Sequence, residues 1–192
     1  MEPNIKDIRD ATLRRIGRNV FNFQRLETFL KSLIPAMSCS GTPSNFSDRH
    51  KARVKKLSKK GLGKLADNFH SDVYGKPSAA TGPSDLLEPS ITFSMGIETD
   101  PNNARVRKQK LLGLVRERNR LIHFDLAGVD LNSLADCNRL SAHLDEQNDR
   151  IRLQLEELEA LRTAHSLMIA ELLSYFESGE FLAMLQQGSN DA

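Results

Sequence analysis

The sequence has few of the residues that build cross-linked or sheet-rich proteins. Its 192 residues include only two cysteines, Cys39 and Cys137, with no CxxC motif and no cluster of histidines around them. This argues against a disulfide framework and a cysteine-based zinc site, and it indicates a reducing compartment. Tryptophan is absent and aromatic residues make up 6% of the chain. That composition disfavours all-β architectures and favours helices packed with Leu and Ile.

Long apolar runs are also missing. The longest is LLGLV at residues 111–115, far short of the roughly 20 residues that span a bilayer. The N-terminal stretch is charged throughout, unlike a signal peptide with its basic start and apolar core. We therefore expect a cytoplasmic protein that does not enter a membrane.

Charge is abundant and unevenly distributed. Residues 1–123 carry 23 Lys and Arg against 12 Asp and Glu, whereas residues 124–192 carry 4 against 13, and the net charge is only +2. Such a division is typical of a chain with a basic face for a polyanion. Equally, the two halves could neutralise each other, within one chain or in a dimer.

Apolar residues recur at helical spacing in four stretches. These are residues 8–34, ending at Pro35; residues 47–69; residues 102–123; and residues 130–186, with a break at Gly179. The apolar stripe of the first helix consists of Leu13, Ile16, Val20, Phe23, Leu26, Leu30 and Ile34. Between the second and third helices, residues 70–102 are rich in turn residues and contain ITFSMGIE, a candidate strand. The pattern predicts an all-α fold: a bundle of four to five helices in one domain, residues 1–192, with a loop or short β-hairpin insertion at residues 70–102.

The second predicted helix is strongly basic. Eight cations surround its narrow apolar seam, and no acidic residue follows until Asp67. Lys55, Lys56, Lys59 and Lys60 form the densest part of this run. They are candidates for contact with a nucleic-acid backbone, while a solvated surface is the ordinary alternative.

The third predicted helix has an arginine in the middle of its apolar stripe. On a helical wheel, Arg118 falls within about 20° of the centre of the stripe formed by Leu111, Leu114, Val115, Leu121 and Ile122. Asn119 and His123, four residues apart, share the shoulder of that face, with Arg116 and Arg120 further round. A guanidinium on a burying face is costly unless an anion meets it there. That anion could be a carboxylate of another helix or the phosphate of a ligand.

Arg118, Asn119 and His123 spell Arg-polar-x-x-x-His at the end of a helix in an all-α chain. This resembles the signature of the HEPN superfamily. Many HEPN proteins are metal-independent endoribonucleases, often toxins of toxin–antitoxin or antiviral systems, and they form the active cleft between two subunits. The resemblance therefore implies a HEPN-like bundle, an RNA substrate, a homodimer, an antitoxin or defence-system partner, and neither a metal nor another cofactor.

The residues suit that chemistry. A histidine can move a proton near neutral pH, as His123 would when the RNA 2′-OH attacks the phosphate. Arg118 can stabilise the phosphorane, and Asn119 can orient the histidine or the phosphate. Arg116, Arg120 and the four lysines would hold the RNA backbone.

One position departs from the family pattern. In HEPN toxins that are silenced by a nucleotidyltransferase, the motif commonly continues His-x-Tyr, and the tyrosine is adenylylated. Here Asp125 stands at that position, so this form of silencing is doubtful.

Two alternatives to an endoribonuclease stay open. One is a non-catalytic HEPN-like module that binds RNA or a nucleotide, or acts as a regulatory scaffold. The other is a coiled-coil adaptor built on residues 132–176, whose seam lacks a sustained heptad pattern.

Overall fold

A computed structural model describes residues 4–42, 44–75 and 91–179. It confirms the all-α fold class, with one two-stranded sheet beside the helices. In chain order the elements are α1 (Ile5–Met37), β1 (Ser38–Gly41), α2 (Phe46–Ser58), α3 (Leu62–Tyr74), β2 (Ile91–Ser94), α4 (Pro101–Arg120), a π-helical turn (Leu121–Asp125), α5 (Leu126–Gly128) and α6 (Leu134–Phe176).

Helix α1 begins with a capping residue and extends beyond its predicted C-terminal end. The Asn4 side chain caps it by accepting a hydrogen bond from the backbone N–H of Lys6, at 3.0 Å. We predicted an end at Pro35, yet the helix continues to Met37. Proline lacks an N–H and disrupts a helix interior. In the last turn, however, Ile34, Pro35 and Met37 are all buried, and this burial offsets the loss.

The basic stretch predicted as one helix forms two. Helix α2 ends at Ser58 and α3 begins at Leu62, with an extended Gly61 as its N-cap. The prediction of a continuous helix was wrong because Gly61 has low helix propensity and serves better at a helix boundary. The break lets Leu57 and Leu62 both turn into the core.

The two strands come from distant parts of the chain. They pair antiparallel, with Ser38 opposite Ser94 and Gly41 opposite Ile91. Residues 91–94 therefore form the strand expected in ITFSMGIE, but its partner directly follows α1. Gly41 fits a close turn into α2, since a Cβ there would lie 2.9 Å from Cα of Phe46. Within the predicted insertion, α3 extends to Tyr74, while residues 76–90 lie outside the described residues.

The face that α1 turns towards α6 is more polar than the periodicity indicated. Leu13 and Val20, which we placed on the apolar stripe, are exposed, whereas Thr12, Asn19 and Asn22 are buried. These three residues and their partners on α6 form what we call the polar seam: Thr12 with Ser141 at 2.9 Å, Asn19 with the Leu144 carbonyl at 2.7 Å and Gln147 at 3.0 Å, and Asn22 with Asn148 at 2.9 Å. The core beside it is formed by apolar residues such as Leu26, Leu30, Leu65 and Leu144.

The chain divides into two compact units between Leu155 and Glu156. The first unit contains every element named above up to the middle of α6. In the second, the described chain is helical from Glu156 to Phe176. None of the helices in the described ranges is both long enough and apolar enough to cross a membrane.

Candidate catalytic and RNA-binding site

Helix α4 is anchored by the apolar face that carries Arg118. The Asp100 carboxylate caps the helix by accepting from the backbone N–H groups of Asn102 and Asn103. Leu114 and Leu121, four residues before Arg118 and three after it, are buried. Arg118 itself is half-buried. The wheel placed Arg118 near the centre of the apolar stripe, whereas the structure has it only half-buried, between the buried leucines and solvent.

No carboxylate neutralises Arg118 among the residues that the structure describes. Its Nη1 donates to Oδ1 of Asn119 at 3.2 Å. The acid just before it in sequence, Glu117, accepts two hydrogen bonds from Arg150 of α6, at 3.0 and 3.1 Å. The acid that follows, Asp125, accepts from Nε of Arg120 at 3.1 Å. Both nearby carboxylates are thus held by other arginines.

The helix widens into a π-helical turn at the motif histidine. The N–H of Leu126 donates to the carbonyl of Leu121, five residues back. Each residue of such a turn rotates by less than in an α-helix, so His123 lies closer in angle to Arg118 than the regular wheel predicted. His123 is exposed. Single π-turns within helices occur frequently at functional sites, and this one was not visible in the sequence pattern.

The structure brings together only part of the predicted catalytic set. Arg118 and Asn119 are in direct contact, while the His123 side chain makes no hydrogen bond to any described residue. Asn119, Arg116 and Arg120 are exposed beside it. A substrate at this end of α4 has access to all of them from solvent.

The four lysines of the predicted RNA-binding set divide into two pairs. Lys56 of α2 and Lys60, two residues after the end of that helix, line a cavity of about 380 Å³, together with Arg49 and Arg53 of α2. Lys55 and Lys59 are exposed outside it. The sequence identified the basic helix but not this division, because the division depends on β1 and α3, which form the other walls.

Apolar side chains are exposed next to the motif. Phe124, directly after His123, is 71% exposed, and Leu126 is 39% exposed. Contiguous exposed apolar surface is a feature of sites that meet another molecule.

The described residues include no group of three or more His, Cys, Asp or Glu side chains placed to hold a metal ion. No family model matches the chain, and no curated protein or solved structure is significantly similar to it.

Proposed function

We propose that the protein is a metal-independent endoribonuclease of the HEPN type, with Arg118, Asn119 and His123 as its catalytic residues. In this proposal it acts in the cytoplasm as a toxin or a defence ribonuclease, restrained or activated by a partner protein. The resemblance of the motif suggests the chemistry, and the surroundings of Arg118 support it.

The observation that carries the proposal is the pairing of charges around Arg118. Glu117 is engaged by Arg150 and Asp125 by Arg120, so neither nearby carboxylate compensates the Arg118 guanidinium. Asn119 satisfies one of its five donors through an uncharged amide oxygen. The remaining donors suit the paired oxygens of a phosphate, which a guanidinium binds bidentately.

The proposed reaction begins at His123. As a base, its imidazole removes the proton of a ribose 2′-OH, and the 2′ oxygen attacks the adjacent phosphorus. Arg118 stabilises the negative charge that accumulates on the non-bridging oxygens. The bond to the 5′ oxygen breaks, and that oxygen takes up a proton. The products are a 2′,3′-cyclic phosphate and a 5′-hydroxyl.

A second copy of the chain completes the site in this proposal. Phe124 and Leu126 expose apolar surface on either side of Asp125, and burial against another copy would remove that surface from water. The same contact would bring a second Arg118 and His123 to the cleft. Sedimentation at micromolar concentration should therefore show a dimer, and a monomer alone would contradict the composite cleft.

The test is cleavage of RNA in EDTA by the purified full-length chain. We expect cleavage by the native protein, no cleavage by His123→Ala, and 2′,3′-cyclic phosphate at the cut ends. Arg105→Ala is a matched control, since it removes a cation of the same helix whose partner is Asn102. A requirement for Mg²⁺ with 5′-phosphate products would overturn the proposal. A folded dimer that binds RNA but does not cut it would favour the non-catalytic binding module.

A further inference from the structure

We propose that the cavity between β1, α2 and α3 is a binding site for a phosphate monoester, carried by a mononucleotide or by the end of a nucleic-acid strand. The cavity shares no residue with the Arg118 motif, and the inference does not rest on the proposed ribonuclease activity. The cleavage products described above carry no phosphate monoester, so the cavity is not a site for them.

The shape of the cavity suits a small ligand. Its volume of about 380 Å³ lies within the range of roughly 300–1,000 Å³ that is usual for small-molecule sites. Strand β1 supplies the hydroxyls of Ser38 and Ser40, and α3 supplies the amide of Asn68. Leu57 contributes apolar surface. Convergent polar groups beside an apolar wall are typical of a site that orients its ligand.

The charge of the lining identifies the ligand as an anion. The lining contains one carboxylate, Asp72, and four cations: Arg49, Arg53, Lys56 and Lys60. Asp72 is occupied by Arg53, whose Nη2 donates to it at 2.8 Å. Arg49, Lys56 and Lys60 make no ion pair with any residue in the described ranges. The lining thus carries an excess of three positive charges, which the doubly charged phosphate of a monoester would largely offset.

The arginine in the wall has an unused donor. The Nε of Arg53 is buried and has no hydrogen-bond partner, although Asp72 accepts from the neighbouring Nη2 on the same edge of the guanidinium. Buried polar donors in folded proteins almost always have a partner. A buried donor without a partner therefore leaves the positive charge of this wall incompletely compensated.

A second basic hollow shows why charge alone does not identify the site. Arg14, Arg15 and Arg18 line a hollow on α1 of about 300 Å³, but Asp145 accepts hydrogen bonds from both Arg15 and Arg18. Two of its three arginines are therefore already paired with a carboxylate. In the cavity beside α2, the single carboxylate pairs with one of four cations.

Cys39 provides a direct reporter of ligand binding. It lines the cavity and is partly exposed, whereas the other cysteine, Cys137, is fully buried. Alkylation of the folded protein by iodoacetamide should therefore modify Cys39 first, as followed by peptide mass spectrometry. A ligand in the cavity will slow this reaction.

The experiment compares phosphorylated and unphosphorylated probes. We expect millimolar AMP to slow alkylation of Cys39 at least several-fold and adenosine to leave it unchanged. The source of the phosphate is distinguished by a short oligodeoxynucleotide with either a 5′-phosphate or a 5′-hydroxyl. Protection by AMP assigns the site to mononucleotides, and protection only by the 5′-phosphorylated strand assigns it to strand ends. Equal effects of the phosphorylated and unphosphorylated forms would overturn the proposal.

The chain offers a control pair for the variants. Lys56→Gln with Lys60→Gln removes two charges from the cavity, while Lys55→Gln with Lys59→Gln removes two charges from the adjacent positions outside it. The first double variant should lose the protection by AMP, and the second should retain it, as should Arg118→Ala. Equal loss in both double variants would indicate general attraction to a basic surface and would refute a built site. Circular dichroism verifies that each variant is folded.

Discussion

Two sets of arginines on helices of this protein differ in what they face. On α1, Arg15 and Arg18 both bind Asp145 of α6, with nitrogen–oxygen distances of 3.0 and 2.8 Å. On α4, Arg118 faces no carboxylate among the described residues and contacts the amide of Asn119. The α1 arginines are thus paired with a carboxylate of another helix, whereas the Arg118 guanidinium has no described counter-ion.

The difference arises from α6 rather than from burial. Arg15, Arg18 and Arg118 are all partly exposed. Helix α6 presents Asp145 to α1, but it presents a cation, Arg150, to α4, where Glu117 binds it. The same helix thus neutralises one set of arginines and removes the nearest counter-ion from the other. The three arginines are thus distinguished by whether a carboxylate of α6 pairs with them, and not by their exposure. An arginine without such a carboxylate is the candidate for binding a ligand.

The largest expected effect comes from removing Arg118. Arg118→Ala should lower RNA cleavage by about 10² or more, because the phosphorane loses its charge stabilisation. The free energy of unfolding should change by less than about 0.5 kcal/mol, since no ion pair is lost. Parallel cleavage assays and urea unfolding measure both quantities. Full activity combined with marked destabilisation would assign Arg118 a structural role and remove the contrast with α1.

The polar seam between α1 and α6 gives the largest expected effect on stability. Asn19→Ala removes the donor to the Leu144 carbonyl and to Gln147. The buried Oε1 of Gln147 loses this partner, while the Leu144 carbonyl still accepts from Nη2 of Arg18 at 3.3 Å. We expect a loss of about 1–3 kcal/mol in the free energy of unfolding. Gln24→Ala, at an exposed position of the same helix, should change it little. Cleavage by folded Asn19→Ala should be unchanged, and a loss of activity at full stability would contradict a purely structural seam.

This seam also marks the limit of what the sequence could predict about the fold. Hydrophobic periodicity found the long helices because apolar residues such as Leu26 and Leu30 repeat at helical spacing. It assigned Leu13 and Val20 to the core because it treats every asparagine as solvent-facing. Asn19 and Asn22 are buried because α6 offers matched hydrogen-bond partners more than 120 residues away, and a local pattern contains no such information.

The candidate site was predictable to a similar degree. The wheel identified the face of Arg118 from its spacing to Leu114 and Leu121, both of which are buried. It could not show that Arg150 forms an ion pair with Glu117, because that contact joins positions 33 residues apart. Nor could it show the π-helical turn that carries His123, since the wheel assumes regular α-helical rotation. The catalytic roles of these residues stay predictions until cleavage is measured.

Arg150 offers a way to break the contrast between the two arginine sets. Arg150→Ala releases Glu117, whose carboxylate can then compete for the adjacent Arg118. We expect cleavage or RNA binding to fall by up to about tenfold, which corresponds to about 1.4 kcal/mol. Adding Glu117→Gln should restore it, because the competing charge is gone. Arg139→Ala, which removes another cation of α6 paired with Asp136, is the control. Loss of activity without rescue by the second substitution would show that Arg150 acts in some other way.

A smaller effect is expected from stabilising α4 away from the motif. Gly113 lies inside this helix, and the nearest atom that an added Cβ would meet is Nη2 of Arg116, at 3.9 Å. Gly113→Ala should raise the free energy of unfolding by up to about 1 kcal/mol, the difference in helix propensity between the two residues. Thermal or urea unfolding measures it, and activity should not change. A lower free energy of unfolding in the variant would show that the added methyl group clashes with a neighbouring side chain.

The smallest expected effect, and the one that separates the two arginine sets by pH, concerns Asp145. Hydrogen bonding from Arg18 is the largest influence on its pKa and, with Arg15, lowers that pKa below its usual value of 3.8 against the opposing effect of burial. A carboxylate whose pKa is depressed by folding adds stability above its unfolded pKa, and this stability is lost as the pH falls through the folded pKa.

Because the Asp145 side chain is 48% exposed, Asp145→Asn should cost only about 0.5 kcal/mol in the free energy of unfolding at pH 7. This difference should persist down to about pH 4 and disappear in stronger acid, where the native carboxyl is also neutral. Arg118→Ala should show no such acid-dependent difference, because Arg118 has no described carboxylate partner. Urea unfolding of both variants between pH 7 and pH 2.5 measures this, and an acid-dependent difference in Arg118→Ala would reveal a carboxylate bound to Arg118.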